Sequence, residues 1–458
     1  MAVPTNPVTD RSGQGAERRA RTIPAYRTIP RLARNPLNAF EEIAQESDGA
    51  IVRLHLGLFR PYLVTHPQHV QQVLRDEDSH YLRDGMLWKP LRRLNGNGIA
   101  GDGPAWAASR KMFQTLFAAK HIASLVDQMA DAVAEAVDAL DEAAGSGTLI
   151  DGFAEMNRIV HRVLVRVFFG DHISLAEAER LGAAINTAFT SLGSRMLLPF
   201  VPGSIPMPGD AAFHRAVRTV DEIIFPLVRE RISRPVGGTD MVARLCEARD
   251  ENGDPPEVQL VRDDLVAMFI AGTETTALAL TWLWVLLDSH PEVAANVTAE
   301  VDRVVGRARL RRAHVAQLRY TKMVLHEVLR LYPAGWVLPR TVKVPHLIDG
   351  VAIHAGATIL LSPYLTHRME QFWPQPGAFD PERFSPEQVQ GRHRFAYFPF
   401  GGGAHVCLGN HLFTVEAQLV VATLLSRYRP ELRSGKVEPQ AAASLRPSRP
   451  VEMTLRPV

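Results

Sequence analysis

The run from Val258 to Leu287 keeps helical spacing for about 30 residues without a proline, and from Leu278 to Leu287 it is apolar on nearly every face. At 1.5 Å per residue this is a helix of about 45 Å. A helix that is apolar all round has to be covered all round, so it must run through the middle of a large protein. The neighbouring sequence supplies the cover. Ile122 to Ala144, Phe153 to Phe169 and Phe213 to Arg231 carry apolar residues at three- and four-residue spacing. Leu37 to Gln45 and Leu412 to Tyr428 add a short and a longer helix, and Asn252 to Pro256 is a turn.

Strand patterns are fewer and cluster toward the two ends. Ile51 to Leu56, Pro61 to Val64, Val337 to Val344, Leu347 to Ile353, Thr358 to Leu361 and Val451 to Leu455 read as short strands, with turns at Asp349-Gly350 and Ala355-Gly356. Ser362 to Pro399 has little periodicity, and a loop of that length is functional or held by its own side chains. The expected fold is therefore mainly α with a small β-rich region.

The chain has 458 residues, 46% hydrophobic and 22% charged, which suits a large core. With no linker-like stretch after about residue 35, we read residues 36–458 as one domain. Residues 1–35, rich in Pro, Thr and Arg, read as a flexible segment, with Arg18, Arg19 and Arg21 in a solvated tail rather than a membrane-surface arm. A net charge of +2 gives no case for nucleic acid. Two distant cysteines fit a reducing, cytoplasmic setting, and no window approaches 18 uninterrupted apolar residues, so no transmembrane anchor is expected. The first residues lack the apolar centre of a signal peptide.

One of those cysteines, Cys407, lies in the run Phe-Gly-Gly-Gly-Ala-His-Val-Cys-Leu-Gly from Phe400 to Gly409, just before the amphipathic run from Asn410 to Arg427. A thiol at the mouth of a helix feels the positive end of the dipole, which favours thiolate. The glycines clear side chains where a flat cofactor would lie against backbone. Such a sulfur suits haem iron as its axial ligand. A dinucleotide loop fails, because Val406 stands where a third glycine is needed. A zinc site from His405, Cys407 and His411 lacks a fourth ligand. A buried structural cysteine describes Cys246 better than Cys407.

Glu274 and Thr275 sit mid-helix, where a carboxylate needs a partner or a task. Gly272 leaves room beside the helix, and a threonine hydroxyl can bond the carbonyl one turn back. Together they suit a groove for dioxygen in which acid and alcohol relay protons; the alternative is a helix kink filled by a satisfied threonine pair. Glu327 and Arg330, three apart, share a helix face, and Arg383 in a Pro-flanked loop suggests a carboxylate held by two guanidinium groups. Two haem propionates would need cations. His405 is two residues before the cysteine, while Trp106 and Arg110 are four apart on one helix face.

Phe400, Gly403, His405, Cys407 and Gly409 together resemble the haem-binding signature of the cytochrome P450 family, with His405 where Arg is more usual. Ala271-Gly272-Thr273-Glu274-Thr275-Thr276 resembles the family's oxygen-activation motif, Glu327-Val-Leu-Arg330 its Glu-x-x-Arg pair, and Phe379-Asp-Pro-Glu-Arg-Phe384 its Pro-Glu-Arg-Phe segment. The resemblance implies a triangular helical domain around haem b and makes Cys407 the axial ligand. It gives proton delivery to Glu274 and Thr275, and the locking of the cysteine loop to Glu327, Arg330 and Arg383. It also places Trp106, Arg110, Ala271, Arg340, Phe400, His405 and Gly409 against the cofactor.

For the substrate, Ala267, Ala271 and Thr275 recur one turn apart, Val337 and Leu338 resemble the strand beside the haem, and Leu87, Trp88, Phe189 and the turn Met196 to Val201 read as access loops. Their apolar character implies a hydrophobic small molecule, terpenoid, fatty acyl or polyketide-like, in secondary metabolism. The chain ends about fifty residues past the cysteine, so electrons from NAD(P)H are expected through a separate ferredoxin and ferredoxin reductase, docking near Lys111, Arg392 and Arg394 on a monomer. The rival readings are a haem-thiolate peroxygenase or isomerase, and a non-enzymatic haem sensor.

Overall fold

The computed structural model describes residues 18–458 except 77, 199–200, 235–236, 239, 250–252 and 307. The helices that position the site are α1 (Ala25–Arg34), α2 (Pro36–Ser47), α3 (Lys89–Asn95), α4 (Pro104–Leu116), α5 (Ala119–Asp138), α6 (Gly152–Phe169), α7 (Leu175–Ser191), α8 (Asp210–Ser233), α9 (Val258–Ser289), α10 (Arg319–Leu331) and α11 (Asn410–Arg427). The strands are β1 (Arg21–Ile23), β2 (Val52–Leu54), β3 (Tyr62–Val64), β4 (Tyr81–Leu82), β5 (Ile150–Asp151), β6 (Leu338–Val342), β7 (His346–Ile348), β8 (Val351–Ile353), β9 (Thr358–Leu361), β10 (Tyr428–Leu432), β11 (Pro439–Ala441), β12 (Leu445–Pro447) and β13 (Glu452–Pro457).

The predicted central helix is α9, and its apolar stretch is buried from Thr276 to Trp284. Helices α5, α6, α8 and α11 contribute to the same core. Trp282 stacks on Tyr332 at 4.0 Å and donates its indole N–H to the Leu445 carbonyl, so even the polar atom of this ring has a partner. By length and composition, α9 and the stretch Gly403–Arg427 are apolar enough to cross a membrane, which the sequence reading did not anticipate. Two-thirds of each apolar window is buried inside the protein, as in a core helix.

A six-stranded sheet in the order β1-β2-β3-β9-β6-β4 joins the N-terminal strands to the segment before the cysteine loop. Tyr62 pairs with Ile359 across the parallel contact of β3 and β9, and Arg340 with Ile359 across the antiparallel one. The residues from Arg18 to Arg34, expected to be flexible, are folded instead. β1 pairs with β2, Ile23 is buried, and Thr28 is buried and bonded to the Pro24 carbonyl. Composition misled there because the partner strand lies 30 residues on. Residues 1–17, Asn252 of the predicted turn, and Pro199 and Phe200 of the predicted access turn lie outside the described residues. The run Ile122 to Ala144 breaks at Ala139–Leu140 into α5 and a short helix Asp141–Ser146, and Leu347 to Ile353 is the hairpin β7–β8.

The segment from Asn95 to Gly103 is pinned onto α9 by a buried carboxylate. Asp264 accepts the Ile99 backbone N–H at 2.6 Å and the Ser109 hydroxyl at 2.5 Å. Gly98 packs so close that a Cβ there would lie 2.0 Å from Asp264 Oδ1. Burial raises the Asp264 carboxyl to about 6, against the pull of those two donors. Its folded value thus exceeds the unfolded one near 4, so the stability linked to its proton is present below about pH 4 and lost as pH rises to about 6. Two pKa units correspond to about 3 kcal/mol. Asp264→Asn, whose amide oxygen can accept the Ile99 N–H while its NH2 donates to a turned Ser109 hydroxyl, is expected to flatten that part of the denaturation-versus-pH curve; an unchanged slope between pH 4 and 6 would refute the assignment.

Candidate active site

The cysteine loop is built by backbone geometry. The Cys407 N–H donates to the Phe400 carbonyl at 2.9 Å, and the Val406 N–H to Gly403 at 3.1 Å. The glycines have a reason other than the one inferred from sequence. A Cβ on Gly403 would lie 1.5 Å from the Leu74 carbonyl oxygen at φ +67, and one on Gly402 would lie 2.5 Å from the Phe395 ring. They let the loop press against its protein neighbours, whatever lies on its other side. Phe400 anchors the start of the loop on Phe413 of α11, with ring centroids 5.7 Å apart.

The Cys407 side chain is accessible to solvent-sized space, yet burial raises its thiol pKa. A group that is both accessible and deep faces an interior space. The Gly409 N–H, at the start of α11, and the Arg110 guanidinium pull the thiol the other way without prevailing. Thus the helix end does not by itself make a thiolate, as the sequence reading supposed. A cation bound to the sulfur would favour the thiolate over the thiol.

Beside the sulfur lies a largely half-buried cluster of cations. Arg110 on α4 donates to the Val406 carbonyl at 2.7 Å. His405 sets Nε2 3.0 Å from Asp102 Oδ1 and lies against Trp106, with centroids 4.2 Å apart. Arg340 on β6 is buried, and burial lowers it to about 10, with Asp102 pulling it back. Arg83 joins them: burial and then Arg340 push it down to about 10, and it donates to the Ile99 and Gly101 carbonyls at 3.0 and 2.6 Å. His405 Nδ1, Arg110 Nε and Arg83 Nε are buried without a hydrogen-bond partner among the described residues. Arg83 and Arg340 share the single Asp102 carboxylate with His405, and Arg110 has the Cys407 thiol beside it instead, so the cluster is short of negative charge, which an arriving anion would supply. The two propionates of haem fit that deficit, and the lone sulfur next to it fits the iron. Arg83 and Asp102 were missed because no local motif marks them; the fold of residues 83–103 brings them in.

On α9, Ala271 and Thr275 are exposed although the helix is otherwise mostly buried, so this i, i+4 pair lines an opening. The Thr275 hydroxyl donates to the Ala271 carbonyl at 2.5 Å, and Thr273 to Phe269 at 2.8 Å. Gly272 does not leave a groove for dioxygen. A Cβ there would lie 2.9 Å from Leu164, so the glycine lets α6 pack on α9. Glu274 turns elsewhere: its Oε1 accepts Arg446 Nε at 3.0 Å and the Nη2 donor at 2.6 Å. It lines a cavity of about 270 Å3 between α6, α7 and α9 with His161, Asn157 and Phe189.

The Glu327 trio is assembled as expected and buried more deeply. Arg330 donates to both Glu327 oxygens at 2.7 Å, and neither side chain has solvent access. Burial pushes the Glu327 carboxyl up and the Arg330 hydrogen bonds oppose it. Arg383 Nε stands 3.5 Å from Glu327 as an ion pair, and the Asp380 N–H donates to the same oxygen at 2.9 Å. Arg330 also donates to the carbonyls of His367, Pro376 and Ala378. The ring of His367, absent from the sequence reading, then accepts the Phe398 N–H at 2.9 Å, and the Phe398 carbonyl accepts Gly401. A continuous hydrogen-bonded path therefore runs from α10 to the cysteine loop.

The proposed substrate residues divide. Leu338 approaches the cysteine loop, 3.8 Å from where a Cβ on Gly401 would lie. Leu87 and Val337 pack on the cluster around Trp336, and the Trp88 indole donates to Pro339 at 3.3 Å. Ala267 is buried one turn before Ala271. Phe189 departs from the group, lining the cavity beside Glu274 instead. Of the predicted docking cations, Lys111 and Arg394 are exposed, whereas Arg392 is half-buried with its guanidinium 4.0 Å over Trp373.

Comparison with known proteins agrees with this geometry. Residues 20–455 match the family model described as Cytochrome P450. The chain is 30% identical over 431 residues to cyclooctat-9-en-7-ol 5-monooxygenase of Streptomyces melanosporofaciens, covering 93% of this chain and 91% of that one. It is 27% identical over 425 residues to pentalenene oxygenase of Streptomyces avermitilis, covering 92% and 93%. The crystal structure of the cytochrome P450DA heme domain superposes with a TM-score of 0.86 at 20% identity, covering 97% of this chain and 98% of that one; this likeness bears on the fold alone.

Proposed function

Because this chain belongs to the cytochrome P450 family, we propose that it oxygenates a terpenoid-like hydrophobic molecule, with Cys407 as the iron ligand of haem b. The chain is a monooxygenase by family. The observation that carries the site assignment is an accessible Cys407 beside a cation cluster in which Arg83 Nε, Arg110 Nε and His405 Nδ1 are buried without a hydrogen-bond partner among the described residues. When bound, the haem supplies the activation of dioxygen, one atom of which enters the substrate while the other leaves as water.

The chain's own residues do the rest. Arg110, Arg340, Arg83 and His405, with Trp106 packed on the imidazole, would hold the propionates. The Gly409 N–H and Arg110 steady negative charge on the sulfur. Thr275 holds its hydroxyl at the opening, where it can pass a proton inward. Glu274, held by Arg446 and lining the cavity with His161 and Asn157, takes protons from that cavity and must leave the ion pair to hand them on. Ala271 and Leu338 give the pocket apolar walls. The names of two relatives, which act on pentalenene and cyclooctat-9-en-7-ol, favour a cyclic terpenoid over the fatty acyl and polyketide classes. Electrons from NAD(P)H through ferredoxin and its reductase would enter near the exposed Lys111 and Arg394.

Turnover of a panel of cyclic terpenes with NADPH, ferredoxin and reductase tests this reading. Thr275→Ala and Glu274→Gln are each expected to lower product by about tenfold or more while NADPH oxidation continues, the electrons going to peroxide or water. Equal turnover from hydrogen peroxide without reductase, insensitive to both substitutions, would favour the peroxygenase reading and overturn this one.

A further inference from the structure

Helix α1 presents its apolar side to solvent. Tyr26, Ile29, Pro30 and Ala33 fall at i, i+3, i+4 and i+7, one continuous stripe, and all four are exposed, Tyr26 at 79%. The opposite side is the buried one, with Thr28 inside and Leu32 packed on the core cluster around Trp336. Normal amphipathic packing is therefore reversed. A second apolar point stands beside it. β1 and β2 are parallel, with Ile23 opposite Leu54, so α1 and the turn after β2 leave the sheet at the same end. That turn carries Leu58 at 101% exposure.

The charges around this surface have one sign. Arg27 and Arg34 flank the stripe on α1 and Arg60 follows Leu58; all three are exposed, and none makes an ion pair among the described residues. The acidic residues of the neighbouring α2 are engaged by other arginines, Glu46 and Glu42 by Arg31 at 2.9 and 3.4 Å and Glu41 by Arg368 at 3.6 Å. A projecting helix side and hairpin tip, apolar at the crest and cationic at the flanks, matches a deformable anionic surface better than a rigid pocket. We propose that α1 and the Leu58 turn form a peripheral docking surface for anionic phospholipid. The contact is interfacial, with the stripe and Leu58 at the headgroup boundary and the arginines on the phosphates. It does not depend on the haem reading, since it uses no residue of that site.

Cosedimentation of the full chain with phosphatidylglycerol and with phosphatidylcholine vesicles tests it. Binding to the phosphatidylglycerol vesicles is expected to be stronger and to weaken with salt. The triple variant Tyr26→Ser, Ile29→Ser, Leu58→Ser and the double variant Arg27→Gln, Arg34→Gln should each lower the partition coefficient about tenfold, at unchanged circular dichroism and melting. Absence of vesicle binding, or binding that both variants retain in full, overturns the proposal. So would a concentration-dependent dimer that the triple variant abolishes without any vesicle binding, which would assign the surface to a second copy of this chain.

Discussion

Cys407→Ala is expected to yield a folded protein whose reduced, carbon-monoxide-treated form lacks the absorption band of sulfur-ligated haem, and whose monooxygenase activity is gone. The variant should fold because the bonds that shape the loop belong to the backbone. Cys407 N–H to Phe400 and Val406 N–H to Gly403 survive loss of the sulfur, and the close seat of Gly403 on Leu74 is untouched. Haem uptake should fall without vanishing, since Arg110, His405, Arg83 and Arg340 still offer cations to the propionates. Cys246→Ala is the matched control. That thiol is buried, raised to about 12 by burial, and reaches only the Val228 carbonyl at 4.0 Å, so its loss should leave the spectrum unchanged. A sulfur-type band that persisted in Cys407→Ala would sink the axial-ligand assignment.

Features set by neighbours in sequence were the readable ones. The 3.6-residue period located α9 to within two residues of its observed end, and β9 matched its predicted span, because each pattern depends on side chains close in the chain. The motif residues Cys407, Arg110, His405 and Glu327 were found for the same reason. What required distant partners was not readable. β1 is a strand only because β2 lies beside it. Gly272 reads as room for a ligand in sequence, yet Leu164 of α6 fills it, and the partner that Glu274 needs is Arg446, 172 residues away. Asp102 and Arg83 resemble surface charges in sequence, and only tertiary folding places them next to His405. Local sequence thus pointed to candidate residues, while the counter-charges beside them had to come from the structure.

Glu327→Ala should be the most destabilising change outside the haem pocket, by about 3–5 kcal/mol in urea denaturation. The carboxylate has no solvent access and serves Arg330 twice, the Asp380 N–H once and Arg383 as an ion pair. Removing it strands a fully buried guanidinium, whose remaining acceptors are the neutral carbonyls of His367, Pro376 and Ala378. An unpaired buried charge costs far more than a lost surface pair, so the exposed pair of Glu42 with Arg31 gives the scale: Glu42→Ala should cost less than about 1 kcal/mol. The damage should also travel. With the Arg330 side chain displaced, its bond to the His367 carbonyl is lost, the residue whose ring accepts the Phe398 N–H is freed to shift, and the cysteine loop loosens. Faster haem loss to apomyoglobin should therefore accompany the lower stability, although Glu327 belongs to the clamp behind the loop and not to the cation cluster. Replacing the pair together, Glu327→Leu with Arg330→Met, should recover part of the stability, because no charge is left buried. A loss below about 1 kcal/mol in the single variant would mean that the trio is not what holds the loop.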